Sequence, residues 1–105
     1  MMSGDTVRGS LQSNYAVLTE DIELDVPIIA RLQQDNLINR DCAQRIRSKQ
    51  TTMDKNEVLL DWALGHWDES FLAQFCDILD DYSSAHPRHK ELATKVRDEF
   101  EKRTG

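Results

Sequence analysis

Three histidines, two cysteines and several closely spaced carboxylates are the side chains of this chain whose types could do chemistry. A thiolate nucleophile needs a base beside it, and a zinc ion needs four ligands supplied in short-spaced pairs. Cys42 and Cys76 lie far apart, each inside an apolar helical pattern and without an indicated histidine partner, so both read as small core hydrophobes. His86 and His89 make only a loose His-x-x-His near a helix start, and His66 stands alone. A second ligand pair is missing, and neither a metal nor a cofactor is expected. Adjacent acids such as Asp80 and Asp81 are common on solvated helix faces, which argues against acid–base work there. The segments "DNLINRDCAQRI" and "DKNEVLLDWALG" both lack the glycine that a calcium loop requires at its sixth position. A glycine-rich phosphate loop, Gly-x-Ser-x-Gly and His-Glu-x-x-His are absent as well, and the chain is not expected to be an enzyme.

The charges that do no chemistry are unevenly placed. From Ile38 to Gln50, Arg40, Arg45, Arg47 and Lys49 face a single Asp41, a net of +3. From Thr52 to Tyr82, eight acids (Asp54, Glu57, Asp61, Asp68, Glu69, Asp77, Asp80 and Asp81) face Lys55 alone, a net of −7. On a helix Asp54, Glu57 and Asp61 fall within roughly 60° of one another and form a stripe. Arg40 and Arg47 share a face in the same way, while Asp41 and Arg45 stand four apart and could satisfy each other. Segregation of this kind suits an interface, because complementary patches steer and orient association. The whole chain carries 19 acidic and 13 basic residues, a net charge of −6, which fits nucleic acid poorly as a main partner.

The elements that carry these residues are helices. Apolar positions recur every three or four residues and strand-like alternation is hard to find, so an all-α fold of six helices is expected, packed as a compact antiparallel bundle. Val7, Leu11, Tyr15, Leu18 and Ile22 form the stripe of the first, with Gly9 and Ser10 as a place for a bend. Asp25 caps the second, which has Pro27 in its first turn and Val26, Ile29 and Leu32 facing inward. Asn39 caps the third, with Cys42, Ala43 and Ile46 inside. Thr51 or Thr52 caps the fourth, whose core arc is Met53, Leu59, Leu60, Ala63 and Leu64 and whose end falls at Gly65. Asp68 caps the fifth, built on Phe71, Leu72, Phe75, Ile78, Leu79 and Tyr82. Pro87 opens the sixth, with Leu92, Val96 and Phe100 at four-residue steps. Of the two tryptophans, Trp67 in the turn is expected to be the more accessible.

With 105 residues, one domain over 1–105 is expected, with a core over about 7–100 and short flexible ends. No apolar run reaches the length of a membrane span or follows a basic start, and two core thiols fit a reducing compartment, the cytoplasm first. The starting methionine suggests a chain N-terminus, whether of a whole protein or of the first module of a longer one.

Several soft motifs then occur in a telling order. They are Leu18, Asp21 and Ile22 ending the first helix, the "DNLIN" turn, Ile46, Thr52 with Asp54-Lys55, Leu59-Leu60-Asp61, Phe75 with Leu79, and His86-Pro87. Over about Leu11 to Val96 the chain resembles the caspase recruitment domain, CARD, of the death-fold superfamily. It departs from that family at Trp67-Asp68, where a glycine is common. The resemblance implies a non-catalytic adaptor that binds another CARD-containing protein (a caspase, adaptor or receptor) or itself, in apoptotic or inflammatory signalling. In that family one contact joins a charged patch on helices one and four to the opposite patch on helices two and three. By position the acidic patch is Asp54, Glu57 and Asp61, and the basic patch is Arg31, Arg40, Arg45 and Arg47. The competing reading is a helical module that binds a peptide or nucleic acid through Trp67 and the segment from Ser83 to Gly105, which has a net charge of +2 from six bases and four acids.

Overall fold

The computed structural model describes residues 3–104, with side chains from Thr6 onward; Met1, Met2 and Gly105, which fall in the ends expected to be flexible, lie outside the described residues. Seven helices follow in order: α1 (Ser3–Ser13), α2 (Tyr15–Asp21), α3 (Val26–Gln34), α4 (Arg40–Ser48), α5 (Thr52–His66), α6 (Glu69–Asp81) and α7 (Arg88–Thr104). No strand occurs among the described residues, and none of their helices is long and apolar enough to cross a membrane. The all-α expectation holds. The count of six does not, because the first expected helix is two, and the second to sixth are α3 to α7.

The division has a local cause. Asn14 turns its side-chain amide back to donate to the Ser10 carbonyl at 3.0 Å, competing with the backbone for the partner that a continuing helix would use. Its own N–H falls back to the Leu11 carbonyl at 3.2 Å, and α2 restarts from the Asn14 carbonyl, which accepts from Leu18 N–H at 2.9 Å. The bend expected at Gly9 and Ser10 is therefore displaced to Asn14. At Gly9 a Cβ would meet the Arg103 guanidinium at 2.6 Å, so a side chain there would displace that flexible arginine head.

The four N-caps fall where expected. Asp25, Asn39, Thr51 and Asp68 each accept the N–H three residues on, at 3.2, 2.8, 3.1 and 3.0 Å. Such a cap contributes about 1 kcal/mol. After α3 the chain stops by a Schellman turn in which Asn36 takes φ 65°, Leu37 N–H reaches back to the Leu32 carbonyl at 2.9 Å and Asn36 N–H to Gln33 at 3.1 Å. Leu37 and Leu32 are both buried, the apolar contact that accompanies this turn.

Val7, Leu11, Leu18, Ile22, Ile28, Leu32, Ile46, Leu59, Phe75, Leu79, Leu92 and Val96 belong to one apolar cluster that every helix feeds. Tyr15, Leu64, Phe71, Tyr82 and Phe100, also expected there, pack half-buried against it, and two residues are exposed instead: Val26 is 71% and Met53 49% exposed. Val26 stands about 115°, at ~100° per residue, from the arc on which Ile28, Ile29 and Leu32 point inward, so Ile28 takes the place assigned to it. Met53 falls in the first turn of α5, where Asn56 rather than an apolar residue begins the buried face. Gly65 does not end α5 either, since no glycine among the described residues adopts a positive φ and the helix continues to His66.

Two buried polar residues lock the helices in place. Asn56 is fully buried, and its Nδ2 donates toward the carbonyls of Leu18 (3.3 Å), Thr19 (2.7 Å) and Ile22 (2.8 Å). The Leu18 carbonyl also accepts the Ile22 N–H at 3.2 Å, but those of Thr19 and Ile22 fall where a helix C-terminus leaves carbonyls unpaired, so Asn56 caps α2 from the side of α5. His89, equally buried, accepts the Glu23 N–H at Nε2 (2.9 Å) and ties α7 to the α2–α3 connection. That bond requires the neutral ring with its proton on Nδ1. Burial and the neighbouring His86 push its pKa down to about 4.

Candidate protein-binding surfaces

The acidic stripe is intact on α5. Asp54, Glu57 and Asp61 are exposed, and none has an ion-pair partner among the described residues. Asp61 accepts the Tyr15 hydroxyl of α2 at 3.3 Å, and burial together with that carboxylate raises the tyrosine pKa. Asn56 and Asp61 both reach α2, so the stripe stands on the α2 flank of α5. Trp62, on the other flank, reaches the α3–α4 connection.

Arg40, Arg45 and Arg47 are exposed on α4, also unpaired among the described residues. The Asp41–Arg45 pair suggested by their spacing does not form there. Arg40 and Arg47 lie together at one edge of the buried Cys42–Ala43–Ile46 face, and Arg45 lies about 140° round the helix from Arg40. Arg31 is in a different state. It is half-buried on α3 and bonded to Asp35 (3.0 Å) and Asp81 (3.2 Å), and the Asp35 hydrogen bond raises its pKa. The structure thus brings Arg40 and Arg47 together and keeps Arg31 for internal contacts.

α4 is set against α5 by the two tryptophans. The Leu37 carbonyl accepts both indole N–H groups, Trp62 Nε1 at 2.9 Å and Trp67 Nε1 at 2.7 Å. Trp67 is only 5% exposed and packs on Phe75, with centroids 4.9 Å apart. The expectation that Trp67 is the more accessible of the two is therefore overturned: the indole needs a partner for its N–H, and the buried carbonyl after α3 supplies one. Trp62 is the more exposed, with His66 stacked on it at 3.7 Å and 8° between planes.

The chemistry-capable residues are accounted for by packing and internal bonds. Burial raises the Cys42 pKa to about 11 and the Cys76 pKa to about 12, so both thiols stay protonated at neutral pH. His86 Nε2 meets Asp25 Oδ2 at 2.6 Å, bracing the connection before α3 against the one before α7. Among the described residues no group of three or more His, Cys, Asp or Glu is placed to hold a metal. Three of the six bases of the C-terminal segment are engaged in ion pairs at the surface: Arg88 with Asp21, Arg97 with Asp77 and Asp80, and Arg103 with Glu99.

Sequence reasoning missed Asn56 and His89, the residues that fix where the stripe stands. Their only signal was position, since each falls on the inward arc of an otherwise apolar pattern. Compared with family models, curated proteins and solved structures, the chain has no match.

Proposed function

We propose that this chain is a non-catalytic interaction module of the CARD type, which binds a second such domain through complementary charged faces. The observation that carries the reading is the pairing state of the charges. Asp54, Glu57 and Asp61 on α5, and Arg40 and Arg47 on α4, are exposed and unpaired among the described residues, while most other arginines are consumed within the fold. Unpaired charges of opposite sign on two faces of one rigid unit suit a head-to-tail contact between copies or relatives. Such a heterologous contact propagates as a helical filament when its rotation does not close. With α1 and α2 taken as halves of one helix interrupted at Asn14, the succession of helices suits a six-helix bundle of the death-fold kind. The partner is then a CARD-bearing caspase, adaptor or receptor, or a second copy, in apoptotic or inflammatory signalling. A cytoplasmic setting goes with that reading, given two free, buried thiols.

The test is charge reversal. Arg47→Glu and Glu57→Arg should each weaken self-association by at least about tenfold (~1.4 kcal/mol) and leave the helical circular dichroism unchanged. Mixed together they should form a one-to-one pair, since each retains the face the other needs. Sedimentation velocity reads both outcomes. Two single variants that associate like the wild type would sink the proposal.

A further inference from the structure

Eight consecutive residues, Arg47 to Asp54, are exposed, the longest such run among the described residues. They cross from the end of α4 to the first turn of α5, and residues 49–51 belong to neither helix. The run holds three hydroxyls in different states. Ser48 Oγ donates to the Arg45 carbonyl at 2.7 Å, and Thr51 Oγ1 caps α5 by accepting from Asp54 N–H at 3.1 Å. Thr52 Oγ1 makes no hydrogen bond with another described residue, and its modification would break none. Arg47 precedes Thr52 by five positions and Lys49 by three. A kinase with an acidic substrate cleft selects by such a charge pattern, and here both bases and the acceptor lie in the same exposed run.

We propose that Thr52 is a phosphorylation site for a basophilic serine/threonine kinase, and that the phosphate cancels the basic face of α4 while sparing the acidic stripe of α5. The first half stands on the exposed run alone; the second rests on the interaction reading above. In the transfer Thr52 Oγ1 bonds to the γ-phosphorus of a nucleoside triphosphate as the bond to the β-bridging oxygen breaks. The diphosphate leaves, and the hydroxyl proton passes to the kinase's base. The product adds about −1.5 to −2 of charge beside a segment, Ile38 to Gln50, whose net charge is +3. Thr52 is the first residue of α5, where the helix dipole favours an anion, so the modified helix keeps its start. It also stands about 160° round α5 from Asp54, so the phosphate points away from the stripe, four residues along the chain from the end of α4 at Ser48.

The chain, residues 1–105, is incubated with the catalytic domain of protein kinase B and magnesium ATP, and the site is mapped by mass spectrometry. One phosphate at Thr52 is expected, retained in Thr51→Val and lost in Thr52→Val. The phosphorylated chain should then pair with Glu57→Arg, which needs only its acidic face, and fail to pair with Arg47→Glu, which needs its basic one. Phosphate absent from Thr52, or placed on Ser48 or Thr51 instead, overturns the site. Undiminished pairing of the Thr52-phosphorylated chain with Arg47→Glu overturns the masking of the basic face. Failure of the interaction reading shows separately, as unmodified Arg47→Glu and Glu57→Arg that do not pair with each other.

Discussion

The acidic stripe of α5 and the acidic end of α6 carry three carboxylates each, yet the first is unpaired among the described residues and the second is bridged by arginines of neighbouring helices. Asp77 and Asp80 are bridged by the Arg97 guanidinium at 2.9 and 2.7 Å, and Asp81 meets Arg31 at 3.2 Å. Asp54, Glu57 and Asp61 meet no cation among the described residues, only the Tyr15 hydroxyl. Counted along the chain the two groups are alike. Their difference arises because α7 packs on α6 and brings Arg97 over its end, whereas α2, which packs on α5, brings a tyrosine and no base. A charge is open to a partner only when the fold has not already neutralised it.

The strongest way to break this contrast is to remove the frame that holds α5 beside α2. Asn56→Leu leaves the carbonyls of Thr19 and Ile22 buried without that donor and should cost about 3 kcal/mol, read as a lowered urea midpoint. Acid acts next. The folded state depresses the His89 pKa from 6.5 to about 4, so the unfolded chain binds the extra proton between those values. Stability from this group is therefore complete above pH 6.5 and lost as pH falls toward 4, by about 2–3 kcal/mol. Urea titrations at pH 7.5 and pH 4.5 measure the loss; His89→Gln should flatten it. The two acidic regions are thus to be compared at pH 7 or above.

Within that window, neutralising the stripe by Asp54→Asn, Glu57→Gln and Asp61→Asn together should weaken association at least tenfold, ~1.4 kcal/mol, while moving fold stability by less than about 0.5 kcal/mol. Arg97→Met should do the reverse. Its guanidinium is half-exposed, so losing both pairs costs only about 1 kcal/mol of stability, and association should stay at the wild-type level. If Arg97→Met weakened association as strongly as the stripe variant, the end of α6 would belong to the interface and the contrast would fail.

Much of the frame was legible in the chain. Asp25, Asn39, Thr51 and Asp68 act on N–H groups three residues away, and sequence displays that spacing directly. Leu18, Ile46, Leu59, Phe75 and Val96 were legible for the same reason, since a helical period places them on one arc. The errors sit at helix ends and turns. Val26 and Met53 are in first turns, where a small rotation of the arc decides burial, and Asn14 divides a helix through a side chain that competes for a backbone partner. Trp67 was misread because its indole bonds to Leu37, a carbonyl thirty residues away in the chain.

The sequence by itself determined the helices, their caps, most of the core and the places of Asp54, Glu57, Asp61, Arg40 and Arg47, because all of these follow from neighbours three, four or seven residues apart. Only the tertiary structure decided which charges remain unpaired. It committed Arg31 to Asp35 and Asp81, and Arg97 to Asp77 and Asp80, buried Trp67, and placed Asn56 and His89 as bonds between helices. Apart from Arg31 with Asp35, these pairings join groups distant in the chain, and no local period encodes which helix will pack beside which.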